Sequence, residues 1–201
     1  MPPEVKRLLD KYHGTLMLKV AKEHGIQQKT LDALVNNAVL DKDYPGVYVE
    51  SGDFADPFYF RAVKFSRGIF SHETALYLHD MTDELIDRYI MSFPRGYHNA
   101  NLSEYFIVPR IVNQRFYEFG VTKIETLNGN TVPVYDAERT LCDIWRKSYK
   151  ADPSVKIKAL NAYFERPDRD FNKLANYAQV LKVGNEFMTA CLLYTSDAAD
   201  E

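Results

Sequence analysis

Apolar residues recur at helical spacing three times in the first forty positions of the chain. Val5, Leu8 and Leu9 share one face of a helix over Glu4–Lys11, which His13-Gly14 ends. Leu16, Met17, Val20 and Ala21 predict a second helix over Leu16–His24, with Thr15 as its N-cap. Gly25 follows at a position where a left-handed backbone favours glycine, and Ile26 is placed to plug between two helices. Leu31, Leu34 and Val35 predict a third helix over Gln28–Ala38. Helix, glycine turn, helix is the helix-turn-helix pattern. Val39-Leu40 and Val47-Tyr48-Val49, joined through Asp41–Gly46, predict a hairpin that serves as its wing, and Ser51-Gly52-Asp53 marks a boundary.

The pattern then changes. A helix is predicted over Pro57–Lys64. Arg67-Gly68-Ile69-Phe70 is a short connection, and Ser71 caps a helix through His79 with Glu73 in its first turn. Arg88–Phe93, Tyr105–Val108, Val121–Thr126 and Thr131–Tyr135 read as strands, the last two joined by the hairpin signal Asn128-Gly129. Asp136 caps a helix to about Lys147, and Val155–Phe164 and Phe171–Leu181 are helical. Short strands, read as antiparallel, between helices indicate an α+β domain. The expected architecture is therefore α+β. An N-terminal winged helix-turn-helix occupies residues 1–52, and a mixed α+β domain follows over 53–190.

Composition narrows the setting. With 46% hydrophobic residues, 14 Tyr and 12 Phe, the chain has the material for a packed core. A net charge of -3 excludes a histone-like protein that binds nucleic acid over its whole surface, so any DNA contact must be local. No stretch approaches a membrane span, Met1–Arg7 lacks an apolar signal core, and the two cysteines have neither disulfide nor zinc spacing; a cytoplasmic location is expected. The tail Cys191–Glu201 reads as one frame of a transposon-end sequencing adapter. It is expected to be a scar outside the evolved fold, with the native chain cut near Ala190 and Cys142 its sole native cysteine.

A helix seated in the major groove offers its first residues to base edges. Here these are Gln27, Gln28, Lys29 and Thr30: Gln for adenine, Lys for guanine or phosphate, Thr for phosphate or a thymine methyl. Asn36 would reach the backbone, and the wing offers Lys42 and Tyr44. The competing reading is a helical bundle with a solvated polar face. Residues 1–50 carry seven basic and seven acidic side chains, so the module is formally neutral. Phosphate contacts dominate affinity, so it is expected to work as a dimer or on paired sites.

In the second region, His72 and Glu73 are helix neighbours that point apart, and His79 lies too far along for a His-Glu-x-x-His site. No metal is expected, and His72 reads as structural. The densest polar cluster is Tyr135–Trp145. As an active site it would bring Asp136, Asp143 and His72 into one cleft for nuclease-like or hydrolytic work. As a capped helix it has Asp136 at the N-cap, Glu138 in the first turn, an Arg139–Asp143 ion pair, and Leu141, Ile144 and Trp145 in the core. The second reading is preferred. Cys142 has no His partner nearby, and no glycine-rich phosphate loop occurs. No cofactor and no enzymatic activity are expected.

Four stretches, taken together, resemble the AbiEi family of antitoxins from bacterial abortive-infection, type IV toxin–antitoxin systems. They are Leu16–Val35; Pro45–Val49; Gly68–Asp83 with Phe93-Pro94-Arg95-Gly96; and Tyr135–Asp143. The resemblance runs from Leu8 to about Ala190. It implies a winged helix that binds inverted repeats in double-stranded DNA at its own promoter and represses it, self-associating on the site. It implies a second domain that opposes a nucleotidyltransferase-like toxin without a stable complex. In that domain the motif positions are Ser71, His72, Glu73, Arg95, Asp136, Glu138, Arg139 and Asp143. The wing, Asp41-Lys42-Asp43, is less basic than in related sequences. The alternatives are an orphan winged-helix regulator, a nuclease-like enzyme, and a module whose winged helix binds protein.

Overall fold

The computed structural model describes residues 1–197, with side chains to Leu192; residues 198–201, the end of the tail expected from the sequence to be an adapter scar, lie outside the described residues. The chain divides into two compact units. One is Met1–Ser66 together with Glu125–Val132; the other is Arg67–Ile124 together with the chain from Pro133 onward.

In the first unit α1 (Pro3–Lys11), α2 (Leu18–Glu23) and α3 (Gln28–Asn36) accompany three strands, β1 (Leu16–Met17), β2 (Leu40–Tyr44) and β3 (Val47–Glu50). The sheet order is β1-β3-β2, antiparallel throughout, with Leu16 opposite Tyr48 and Met17 opposite Val47. This corrects the second helix expected from the sequence. Leu16 and Met17 have the right spacing for a helix, but β3 captures their backbone, so α2 starts two residues later. Thr15 is not a cap: its hydroxyl accepts from Asp56 N–H at 2.8 Å, and the residue before α2 makes no side-chain cap. The core holds Val5, Leu8, Leu9, Leu16, Ala21, Ile26, Leu31, Leu40 and Tyr48. Gly25 sits at φ +79, and Ile26 N–H returns to Ala21 C=O at 2.9 Å, closing the turn that aims α3.

The end of α3 uses the same left-handed turn without a glycine. Ala38 stands at φ +54, with Val39 N–H bonded to Leu34 C=O at 2.9 Å. Ala38→Gly removes the Cβ clash at an exposed position. It is expected to stabilise the first unit by about 1 kcal/mol, read as a raised midpoint in urea; an unchanged or lowered midpoint would contradict it.

The fourth helix, α4 (Pro57–Lys64), belongs to the first unit, so the division falls later than the boundary at 52/53 expected from the sequence. Its cap explains why. Asp56 is fully buried; one carboxylate oxygen accepts from Phe58 and Tyr59 N–H, the other from Thr126 Oγ1 at 2.6 Å and Asn130 Nδ2 at 3.0 Å. Asn130 Nδ2 also reaches Tyr12 C=O at 3.2 Å. These bonds hold residues 125–132, around the Asn128-Gly129 turn, within the first unit.

The second unit contains β4 (Ile69–Phe70), α5 (His72–Leu78), β5 (Tyr89–Pro94), a short 3-10 turn at Ser103–Tyr105, β6 (Ile107–Val112), α6 (Gln114–Tyr117), and all of β7 (Val121–Glu125) and β8 (Thr131–Tyr135) but Glu125 and Thr131-Val132, which group with the first unit. Four helices follow: α7 (Ala137–Trp145), α8 (Pro153–Glu165), α9 (Phe171–Val180) and α10 (Asn185–Asp197). The sheet order is β6-β5-β4-β8-β7. It is mixed, and not antiparallel as the short strands suggested: β4 runs antiparallel to β5, but β4–β8 and β5–β6 are parallel. The 12 residues from Arg95 to Phe106 carry the chain back to the start of β6, so a hairpin is not formed. They also shift β6 later than Tyr105–Val108, because the 3-10 turn ends at Phe106 with φ +55.

Helix α7 is the centre of this unit. All its residues from Ala137 to Ile144 are buried, against Leu76, Leu160, Leu174 and Phe187 of the flanking helices. The observed architecture is α+β. Among the described residues no helix is long and apolar enough to cross a membrane.

Candidate nucleic-acid interface and the polar cluster of the second unit

Helix α3 is amphipathic in the sense a groove-binding helix requires. Leu31 is buried on its inner side, whereas Gln27, Gln28 and Lys29 are exposed at its start and Asn36 at its end; Thr30 is half-buried. Lys42 on β2 is also exposed, and its ammonium lies 5.8 Å from the Tyr48 ring. Tyr48 in turn donates to Asp32 Oδ1 of α3 at 3.2 Å. Tyr44 is differently placed. Its ring packs on Phe60 of α4 at 4.6 Å between centroids, so it fastens the hairpin and does not stand out from the surface. The Asp41 carboxylate accepts from Ser51 Oγ and Gly52 N–H, and Asp43 accepts from Ala55 N–H. The two acids of β2 are thus committed to holding the following loop, while Lys42 is exposed.

In the second unit the residues of the resemblance divide into two groups. The larger centres on Arg139, fully buried on α7. Its Nε donates to Asp143 Oδ2 at 2.9 Å, and one terminal nitrogen donates to Phe116 C=O and Phe119 C=O at 2.8 and 2.7 Å. The guanidinium lies 4.2 Å from the centre of the Tyr135 ring. Gly120 makes room for it: a Cβ there would stand 2.8 Å from Arg139 Cβ, at φ +77. Burial raises the Asp143 carboxyl, and Arg139 opposes the rise.

Asp136 caps α7, accepting from Arg139 N–H at 2.8 Å. Its other oxygen meets Lys173 Nζ at 3.1 Å and Tyr177 OH at 3.3 Å. Glu138 meets the same lysine at 2.9 Å and accepts from Tyr163 OH at 2.9 Å. Burial alone would lower the Lys173 ammonium, but the bonds to Glu138 and Asp136 outweigh it and hold it above its ordinary value. The sequence reading had no partner for Asp136 or Glu138. Lys173 and Tyr177, one turn apart on α9, supply it.

The second group surrounds His72. Ser71 has the backbone of an N-cap but makes no capping bond with its side chain. Its hydroxyl accepts from Ser92 Oγ at 2.9 Å and lies 3.0 Å from His72 Nδ1, a chain that fits a neutral imidazole. Burial, with Arg110, Arg139 and Arg146 nearby, lowers His72 to about 3. It also sits at φ +54, a left-handed position that histidine adopts more readily than most residues. Glu73 accepts from Tyr149 OH, and the Tyr149 ring packs on His72 at 4.2 Å. Arg95 is exposed at the end of β5. Burial pushes the Cys142 thiol far up, away from reactivity.

The hydrolytic arrangement considered from the sequence is not assembled. His72 and Asp143 do line one cleft, but Asp136 caps α7 and Asp143 is paired with Arg139. Among the described residues no group of three or more His, Cys, Asp or Glu is placed to hold a metal.

No family model and no curated protein matches the chain. Its fold is similar to the crystal structure of the RV2827C protein from Mycobacterium tuberculosis, with a TM-score of 0.51 at 10% identity, over 96% of this chain and 82% of that one.

Proposed function

We propose that the chain is a DNA-binding repressor of the AbiEi antitoxin type, with a winged helix-turn-helix in its first unit and the protective function in its second. The observation that carries the DNA-binding reading is the exposed polar start of α3. Gln27, Gln28 and Lys29 stand out from a helix whose opposite side is locked by Leu31, behind a glycine turn and beside an exposed hairpin lysine. An apolar or covered face there would favour a protein partner instead. Since residues 1–50 are formally neutral, sequence-specific contacts and paired half-sites have to supply what bulk charge does not.

The test is fluorescence anisotropy with duplexes from upstream of the coding frame. Lys29→Ala is expected to weaken binding by about 5- to 100-fold and to lower the salt slope by about one phosphate contact; Gln28→Ala should lose discrimination at one base position. Equal affinity for scrambled duplexes, or no effect of either substitution, refutes the reading. The antitoxin part rests on the Gly68–Asp83 and Tyr135–Asp143 stretches. It predicts that co-expression rescues cells from a nucleotidyltransferase-like toxin encoded beside it, and that chains altered in the second unit lose rescue while keeping promoter binding.

A further inference from the structure

The second unit carries a concentration of positive charge that its structural network does not use. One cleft, of about 620 Å³, is bordered by Arg115, Arg146, Lys147 and Lys182 with no carboxylate in its lining. A second, of about 570 Å³, is bordered by Arg110, Arg139 and Arg146, and its one carboxylate, Asp143, is already bonded to Arg139. The two clefts share Phe116, Arg146 and Ser148, so they adjoin. Of the six cations bordering the clefts, Arg139 is spent on Asp143, and the other five have no further carboxylate in either lining, in a chain whose net charge is -3.

Arg110 is the most telling of them. Its Nε is buried and has no hydrogen-bond partner. A buried, charged donor left unsatisfied is costly, and native structures rarely retain one without a reason. Its guanidinium is held 4.7 Å from the Tyr149 ring, and Tyr149 is itself tethered to Glu73 and packed on His72. The fork is thus oriented by Tyr149, with its Nε unpaired beneath the cleft surface. Arg146 contacts Asp143 only at 3.8 Å, beyond hydrogen-bonding distance, and its side chain is 36% exposed.

We propose that these adjoining clefts bind a small polyphosphorylated ligand, one phosphate over Arg110 and Arg146 and the next over Arg146, Lys147 and Lys182. Arginine forks match phosphate oxygens in pairs, and lysines supply point charge. Each cleft has the volume of a small-molecule site. The concavity, with Arg110 half-buried, favours a compact ligand over the convex backbone of a duplex. This site is separate from the DNA-contacting residues proposed for the first unit.

Isothermal titration of the full chain at low salt, with pyrophosphate and orthophosphate as probes, tests the site. Pyrophosphate should bind about tenfold or more tightly than orthophosphate, because only it spans both clefts. Arg146→Gln should weaken pyrophosphate by about 10- to 100-fold. Lys182→Gln, at an exposed position, should weaken it by about tenfold with the fold intact. Lys158→Gln, an exposed charge on α8, should leave it unchanged. Absence of pyrophosphate binding, equal affinity for the two anions, or indifference to both cleft substitutions overturns the proposal. So does a result in which pyrophosphate fails to bind while duplex affinity falls in both cleft variants, which would make the surface a nucleic-acid contact. Failure of Lys29→Ala to affect duplex binding bears only on the first unit.

Discussion

Replacing Arg139 with Met should cost the second unit about 3–5 kcal/mol, the range for removing one partner of a buried ion pair. The substitution keeps the apolar stem and much of the volume, so the loss is electrostatic. Asp143, only 4% exposed, loses its 2.9 Å partner, and the carbonyls of Phe116 and Phe119 lose their shared donor. The remaining neighbour of Asp143 is Arg146 at 3.8 Å, which is too far to replace it. Burial already raises Asp143 against the pull of Arg139, so the variant's carboxyl should take up a proton at higher pH than in the parent. Arg139→Lys should lose nearly as much, because an ammonium cannot reach Asp143 and two carbonyls from one stem. The double change Arg139→Met with Asp143→Leu should recover a substantial part by removing the orphaned charge. Urea unfolding followed by the fluorescence of Trp145, at the end of α7 and packed on Phe187 at 5.4 Å between centroids, reads this unit locally. A loss below about 1 kcal/mol for Arg139→Met would mean that water or a shifted side chain satisfies the site, and the buried network would not be the centre of the unit.

That network shows where sequence reasoning succeeds and where it stops. The Asp136 cap and the Arg139–Asp143 pair were legible because both are local: a cap acts over three residues, and an ion pair one turn apart lies on one helix face. The partners of Asp136 and Glu138 were not legible, because Lys173 approaches from a helix more than thirty residues later. Arg110 and Tyr149, which surround His72, were missed for the same reason. Neither lies in a motif, and only the folded sheet brings β6 beside the segment after α7.

The first unit gives a sharper lesson. Leu16 and Met17 satisfy the periodicity of a helix, yet they pair with β3, because a strand edge offers backbone bonds that a side-chain pattern does not record. Thr15 has the chemistry of a cap but serves Asp56, forty-one positions on. Tyr44 reads as a wing residue free to touch DNA, and instead it is packed on Phe60. In each case a long-range partner outcompeted a valid local preference. That α3 begins at Gln28 was legible because this depends on the Gly25 turn and on Leu31, both within a few residues.

His72 provides the second large effect, a loss of stability on acidification. Its ordinary pKa is 6.5 and in the folded chain it stands at about 3. Above pH 6.5 the imidazole is neutral in both folded and unfolded chains and contributes nothing to the pH dependence. Below it, the unfolded chain takes up a proton that the folded chain refuses, so stability falls as the pH falls, and the fall levels off near pH 3. By pH 5 the loss amounts to about 2 kcal/mol from this residue. The physical causes are burial first and then the three arginines, Arg110, Arg139 and Arg146; Glu73 and Asp143, the nearby acids, are already bonded to Tyr149 and Arg139. His79, buried and lowered as well, adds in the same direction, whereas Asp143, raised by burial, opposes at the acid end. The parent curve alone mixes these with other shifted groups, among them Asp152 and Asp168, whose carboxyls are lowered, and the difference from His72→Asn isolates one. Asparagine tolerates the φ of +54 and does not titrate. Unfolding free energies measured from pH 7 to pH 4 should converge for the two proteins as the pH falls, by about 2 kcal/mol at pH 5. Parallel curves would show that His72 protonates in the folded chain, and the cationic setting drawn around it would then have to contain a compensating anion.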